Sequence, residues 1–483
     1  MMLLDERGVS WKVLLPHHEN GQVLACGLGA GEIVGLARSW LRIDCCFPED
    51  TAYDLSATLP PEIFARIKHL DGPLQSDKKY DLIVLGKGKN IFCDFMPLLA
   101  EDGVLVLVSY LGCEHKWIEL KAAGFGQLLR YGVLPTKQPR IIYPLQNRRL
   151  RRKAFDMHSP GSQRSILAMR AIRCLSNFGI TAPLTRGSVT IAKRHLGQEK
   201  HTLQFWLQEQ LHREILDLVV YCGSDTSVRK ITLLAVGAEG QDDYIVKIAD
   251  TKTATEAIKR ETNALKILAA TTIPAVIPRV LLSSPWRGYN IQVQTTLSKS
   301  TGQINYLTEN HLRFLASLAN IGRQRIRLAD SRIWHQLVDD LKNTDTTLPS
   351  PVKKLARVVC SSDFAKKKIF THQLHGDFTP WNMAIHNDSL AIWDWEDGES
   401  QGLAFFDIFH FIIRKAILLG PWPGTANILQ EIKDVCSVLR TKTAFSAQID
   451  HITSLQIWIV LEYLRNPHPK LLRIATVLET THA

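Results

Sequence analysis

The chain has 483 residues, 45% of them hydrophobic and 22% charged, with a formal net charge of +11. That length exceeds one ordinary hydrophobic core and predicts two or three domains, and the composition excludes a disordered or fibrous protein. The basic residues are scattered apart from 148–153 and 366–368. No aromatic-plus-basic module accompanies them, so no nucleic-acid partner is expected.

The nine cysteines form no C-x-x-C pair, which predicts reduced thiols and a cytoplasmic protein. Acidic residues interrupt the opening MMLLDERGVSW, where a signal peptide needs an apolar run. The apolar stretch 403–422 carries Asp407, His410, Arg414 and Lys415. Those charges predict a buried or amphipathic helix and no membrane span.

In chain order, the apolar run 22–25 feeds a turn containing Gly27, Gly29 and Gly31, and a helical pattern follows at 32–40. Strand, glycine turn and helix is the arrangement by which a doubly wound sheet brings backbone N–H groups to a nucleotide. Residues 80–85 and 104–108 read as strands; 92–99 and 117–123 read as helices, the last stopped by Gly124. Strands alternating with helices imply a parallel α/β sheet.

The segments VLACGLGAG, YDLIVL, LLAEDGVLVLV and LKAAGF, in that order, resemble class I S-adenosylmethionine-dependent methyltransferases. Residues 187–194 resemble that fold's closing strand, with 161–178 a helical insertion before it. The resemblance implies a doubly wound Rossmann-like domain over 1–197, with Gly27, Gly29 and Gly31 as cofactor-binding residues. Ala25 stands where the family has an acidic residue, and none of Asp44, Glu49 and Asp50 matches its ribose carboxylate clearly. A methyltransferase using S-adenosylmethionine and a degenerate, structural domain both remain open.

From about 203 the pattern changes. A helix over 203–215 precedes strands at 218–222, 230–236 and 244–248, which alternate with period two as an antiparallel meander, and Gly223 and Ser224 open a turn. Lys247 lies inside an apolar strand, where a charge is costly unless it meets an anion, and Glu256 and Glu261 follow on a helix over 255–268. A strand lysine paired with a helix glutamate is how kinase-like folds hold nucleotide phosphates. A loop at 273–280, a strand at 290–293 and helices at 310–325, 331–341 and 351–361 follow.

The stretch 371–407 concentrates the chemistry. His375, Gly376 and Asp377 precede Asn382 and Asp394, and Gly376 and Pro380 preclude an uninterrupted helix. A loop leading into a hairpin, 382–385 against 390–393, brings Asn382 near Asp394, so that an amide oxygen and a carboxylate share one Mg²⁺. Asp377 is placed to take a proton from an acceptor hydroxyl, and His375 to brace the loop.

HGDFTPWN and IWDWEDG resemble the two signature loops of the aminoglycoside phosphotransferase and choline kinase family. The resemblance spans about 203–475 and implies a bilobal kinase-like domain over 203–483, divided near 297. It implies Asp377 as catalytic base, Asn382 and Asp394 as metal ligands and Lys247 as the phosphate lysine with Glu261 as its partner. Gly223 and Ser224 are implied nucleotide contacts, and Asp407 steadies the catalytic loop. The expected activity is ATP- and Mg²⁺-dependent transfer to a hydroxyl of an amino sugar, amino alcohol or sugar unit. Glu396, Asp397 and Glu399 either receive a cationic acceptor or are surface charges. A bifunctional enzyme that also methylates and a nucleotide-binding pseudoenzyme are the alternatives. Nothing in the sequence sets the oligomeric state.

Overall fold

The computed structural model describes residues 5–16, 21–46, 59–70, 77–86, 92–109, 116–135, 138–157, 163–177, 187–194, 201–223, 230–297, 304–343, 348–443 and 451–480. It divides into two compact units. Met1–Ser159, Leu167–Ile258 and Val280–Thr296 form the first; Pro160–Ile166, Lys259–Arg279 and Leu297–Ala483 form the second. Among the described residues, no helix is long and apolar enough to cross a membrane.

The first unit is built on one sheet. Its strands are β1 (Gln22–Cys26), β2 (Arg42–Cys46), β3 (Ile67–His69), β4 (Tyr80–Leu85), β5 (Leu99–Ser109), β6 (Gln127–Leu134), β7 (Ile141–Pro144), β8 (Ser188–Lys193), β9 (Ile215–Tyr221), β10 (Ile231–Gly237), β11 (Tyr244–Ala249), β13 (Val280–Trp286) and β14 (Tyr289–Thr295), while β12 (Ala275–Val276) belongs to the second unit. They follow the order β13-β14-β11-β10-β9-β7-β6-β8-β5-β4-β1-β2-β3. From β3 to β5 every pair is parallel. Those strands read as continuous apolar runs because both faces are buried: Val23, Ala25, Val84 and Val106 join one core, Leu24, Cys26, Ile83 and Leu105 another. Next comes β8, antiparallel to both β5 and β6.

At β7 the structure departs from expectation. The methyltransferase-like strands and the later meander read as separate sheets in the sequence. Instead β7 pairs antiparallel with β9, Ile142 opposite Val220, and the Cys222 N–H donates to the Arg140 carbonyl at 2.9 Å. Each of those strands would otherwise present unpaired N–H and C=O groups at this end, and the pairing of Ile141 with Tyr221 and Ile142 with Val220 satisfies those of both edges. The boundary expected between 197 and 203 therefore falls inside one sheet.

Two boundaries also shift. The helix expected over 203–215 ends at Leu211, because His212 turns left-handed at φ 52°, and β9 begins four residues later. Strand β13 occupies a stretch with no expected strand; it is an edge strand, where Pro285 is tolerated. The N-terminal turn Arg7–Leu14 is fixed by Trp11, fully buried, and by Lys12, whose ammonium donates to the Gly35 carbonyl at 2.8 Å and to Asp250 at 3.0 Å.

The second unit carries two small sheets. One has the order β15 (Gln324–Arg327), β16 (Lys368–Leu374), β19 (Glu399–Leu403); the other has β12, β18 (Ser389–Ile392), β17 (Met383–His386). The helix expected over 310–325 stops at Leu318, and β15 takes the rest by pairing with β16. Around these sheets pack the helices Arg332–Asn343, Ser350–Val359, Thr425–Lys442, His451–Arg465 and Pro469–Thr480. An aromatic core of Phe314, Phe378, Trp395 and Phe411 fills the centre, with Phe314 and Phe378 stacked at 5.8 Å.

Two outcomes follow from the first unit. Burial pushes the Asp217 carboxyl up to about 6, against its bonds from the Leu218 N–H and the Tyr131 hydroxyl. The folded state thus binds more protons than the unfolded chain between about pH 4 and 6, and its stability falls as pH rises through that window. Asp217→Asn removes this slope, so the variant should gain on the wild type by up to about 3 kcal/mol between pH 4 and 7 in urea unfolding. A chain starting at residue 201 should lose the partner of β9 and show a lower unfolding midpoint and concentration-dependent aggregation by light scattering.

Candidate active site

Strand β16 delivers the loop that begins at His375. The two carboxylate oxygens of Asp407 accept the N–H groups of His375 at 2.9 Å and Gly376 at 3.0 Å. Burial pushes the Asp407 carboxyl up to about 6, and the two N–H bonds act against that rise. Gly376 adopts φ 83°, and a Cβ there would lie 1.9 Å from the Asp397 carbonyl oxygen. Only glycine fits. The His375 ring is buried and bridges the loop: Nδ1 accepts the Asp377 N–H at 3.3 Å and Nε2 donates to the Trp393 carbonyl at 3.0 Å. Both nitrogens are committed to the backbone, which is a bracing role.

Asp377 follows, with its carboxylate largely enclosed. Its Oδ2 accepts the Asn382 amide at 2.9 Å, and the same amide nitrogen donates to the Asp377 carbonyl at 3.0 Å. Oδ1 is buried without a hydrogen-bond partner and lies 3.7 Å from the Arg414 guanidinium. Desolvation pushes the Asp377 carboxyl up to about 7; Arg414 and the Asn382 bond pull it down, while Asp397 and Asp394 add to the rise.

Asn382 ends the short turn Pro380–Asn382, and its carbonyl accepts the Trp393 N–H at 3.0 Å. The β17–β18 hairpin, paired Met383 to Ile392, therefore sets Asn382 beside the strand exit that leads into Asp394. Asp394 has φ 66°, a left-handed conformation that non-glycine residues adopt only where the surroundings enforce it. The next residue, Trp395, is fully buried, and its N–H donates to Glu261 at 3.3 Å. Four of the expected residues, His375, Asp377, Asn382 and Asp407, thus form one bonded cluster, with Asp394 at its edge and Glu261 tied to the residue after it.

Sequence reasoning missed Arg414 and Glu462. Arg414 closes a π-helical turn, His410–Arg414, and its guanidinium meets Glu462 at 2.9 Å from the helix His451–Arg465. The signal was present, since an arginine inside an apolar helix demands a partner; that partner lies 48 residues away and no local pattern shows it.

The remaining candidates lie in the first unit. Lys247 is buried on β11 between Thr232 and Gln292 of the flanking strands. The Gly223 carbonyl accepts Arg140 at 3.1 Å, and Ser224 is outside the described residues. Gly27 donates to the Cys46 carbonyl at 3.4 Å, and the Gly29 N–H is accepted by the Glu32 carboxylate at 2.8 Å. A Cβ on Gly31 would lie 2.4 Å from the Asp5 carbonyl oxygen, so this glycine admits the N-terminal segment. Asp44 sits in the middle of β2 and accepts the Tyr80 hydroxyl at 2.7 Å, with Lys78 on the same oxygen.

Residues 225–416 match the profile of the phosphotransferase enzyme family. No curated protein matches the chain. Among solved structures, the chain is similar to an amicoumacin kinase in complex with AMP-PNP, Ca²⁺ and Ami, at 14% identity, over 54% of this chain and 88% of that one, with a TM-score of 0.36. It is also similar to spectinomycin phosphotransferase with ADP and spectinomycin, at 12% identity over 58% and 96%, TM-score 0.34. A precorrin 8w decarboxylase of Methanobacterium thermoautotrophicum matches at 16% identity over 28% and 78%, TM-score 0.21.

The steric requirement at Gly376 yields a direct test. Gly376→Ala should lower the unfolding free energy by about 1–3 kcal/mol, because the new methyl meets backbone and the left-handed conformation is strained. Denaturant titration checks this.

Proposed function

We propose that this chain transfers a phosphoryl group from ATP to a hydroxyl of a small molecule. The observation that carries the reading is the Asp377 carboxylate: one oxygen is pinned by Asn382, and the other is buried, unbonded and faced by Arg414. In the transfer, the bond from the acceptor oxygen to phosphorus forms as the bond to the departing ADP breaks, and the hydroxyl proton passes to Asp377. Such chemistry asks the protein chiefly to position groups and to balance charge.

The residues present fit a divalent cation. The Asn382 amide nitrogen is spent on Asp377, which leaves its Oδ1 without a protein donor among the described residues. Asn382 and Asp394 would hold Mg²⁺, a cation that usually takes one or two protein ligands and completes its shell with water and substrate phosphates. Bound there, the cation neutralises phosphate charge. Lys247 keeps its expected phosphate role as part of this proposal.

For 1–197 we infer a methyltransferase-like scaffold. The parallel order β3-β2-β1-β4-β5 followed by antiparallel β8 and then β6 supports the kinship. The glycine turn gives no support to S-adenosylmethionine binding, since Glu32 takes the Gly29 N–H and the N-terminal segment fills the space at Gly31.

Asp377→Asn should lower acceptor-dependent ATP consumption by about 10²–10⁴-fold while calorimetry still detects nucleotide binding. An unchanged rate would sink the proposal, and nucleotide binding with no turnover in the wild type would favour the pseudoenzyme. Arg414→Ala should lower kcat by about 10- to 100-fold with KM for ATP little changed, and should also lower the unfolding midpoint because Glu462 is left buried without its partner; Arg414→Lys should recover stability more than kcat. An unchanged kcat in either variant would make Arg414 a structural residue instead.

A further inference from the structure

The second unit contains a cavity of about 340 Å³ whose wall includes Gly376 and Glu462. Gly376 immediately precedes Asp377, and Glu462 holds the arginine that faces Asp377, so the cavity lies beside the proposed base. Its other sides bring Trp458 and Phe406 together with Arg260 and Arg465. We propose that this cavity receives the acceptor, and that the acceptor is a hydroxyl compound carrying one oxyanion, a carboxylate or a phosphate, bound by Arg465 and Arg260. The proposal rests on the phosphotransfer reading above.

The charges around the cavity decide its preference. Glu399 is engaged by Arg332 at 3.4 Å, and Glu462 by Arg414 at 2.9 Å. With those two carboxylates paired, the acid left in the wall is Asp397, against two guanidinium groups. Arg260 donates its Nε to the Glu396 carbonyl at 3.2 Å, a neutral partner that orients the side chain without cancelling its charge. Arg465 ends the helix His451–Arg465, is exposed, and lines the cavity together with His410. An ammonium-bearing acceptor would enter a wall with Arg465 and Arg260 against the one carboxylate of Asp397, and the excess like charge there disfavours it. Guanidinium forks suit a carboxylate or phosphate, and the aromatic side chains Trp458 and Phe406 suit the apolar face of a sugar ring. Of the acidic trio Glu396, Asp397 and Glu399 read from the sequence, Glu399 is paired with Arg332 and Asp397 stays in the cavity wall.

The test is equilibrium binding of matched sugars to the full chain by calorimetry, using glucuronate, glucose 1-phosphate, glucose and glucosamine. At least one oxyanion sugar should bind about tenfold or more tighter than glucose, with glucosamine no tighter than glucose. Arg465→Gln, at an exposed position, should erase that advantage. Three results overturn the proposal: glucosamine binding tightest, an advantage that survives Arg465→Gln, or no binding of either oxyanion sugar at about 10 mM. Comparing glucuronate with glucose 1-phosphate tells which oxyanion is taken. ATP consumption with the same four sugars separates the two readings. Turnover with glucosamine and not with glucuronate keeps phosphotransfer and removes the oxyanion acceptor. An Arg465-dependent oxyanion preference without any ATP consumption does the reverse.

Discussion

A single carboxylate, Asp407, holds two consecutive backbone N–H groups and thereby sets the direction of the chain into the reactive loop. Two N–H bonds to one carboxylate orient two successive peptide planes, which no single bond can do. Burying the charge is unfavourable, and those bonds offset the burial only while both oxygens are used. From that anchor the remaining positions follow. Gly376 turns left-handed, His375 spans to Trp393, and Asp377 emerges with its carboxylate against Asn382.

The other half of the constraint comes from the far end of the chain. Arg414 reaches Asp377 from a π-helical turn, in which one extra residue shifts the side chains that follow relative to an ordinary helix. Glu462 fixes the guanidinium from a separate helix. Asp377 therefore sits between opposing influences: enclosure and the nearby carboxylates Asp397 and Asp394 favour its protonated form, while Arg414 and Asn382 favour the ionised one. A group balanced in this way can gain and release a proton without a large energetic step.

The sequence revealed the local motifs and missed what distant segments impose. The HGD-to-N spacing and the apolar strand before Asp394 carried enough information to predict the loop and hairpin, because turn residues and period-two alternation are local. The meander β9–β10–β11 was legible for the same reason. The β7–β9 pairing was not, since edge-to-edge pairing leaves no periodic trace in either strand. Strand β15 was hidden because 310–325 continues a helical pattern, and its pairing with β16 prevails over that local preference. Arg414 looked like an argument against a membrane span; its partner Glu462 gives it a positive role.

The seam between β7 and β9 also constrains how the chain matures during synthesis. The parallel strands β1 to β5 leave the outer edge of β5 bare until β8, at 188–193, has emerged. The edge of β7 likewise waits for β9, at 215–221. Each waiting edge is a template for a neighbouring nascent chain, and the exposure lasts for the time the ribosome needs to deliver the covering strand. The loop at Asp377 depends on Asp407 and, through Arg414, on Glu462, so it gains its final geometry only near the end of translation. A nascent chain therefore completes its long sheet before it can assemble the carboxylate arrangement proposed to act on a substrate.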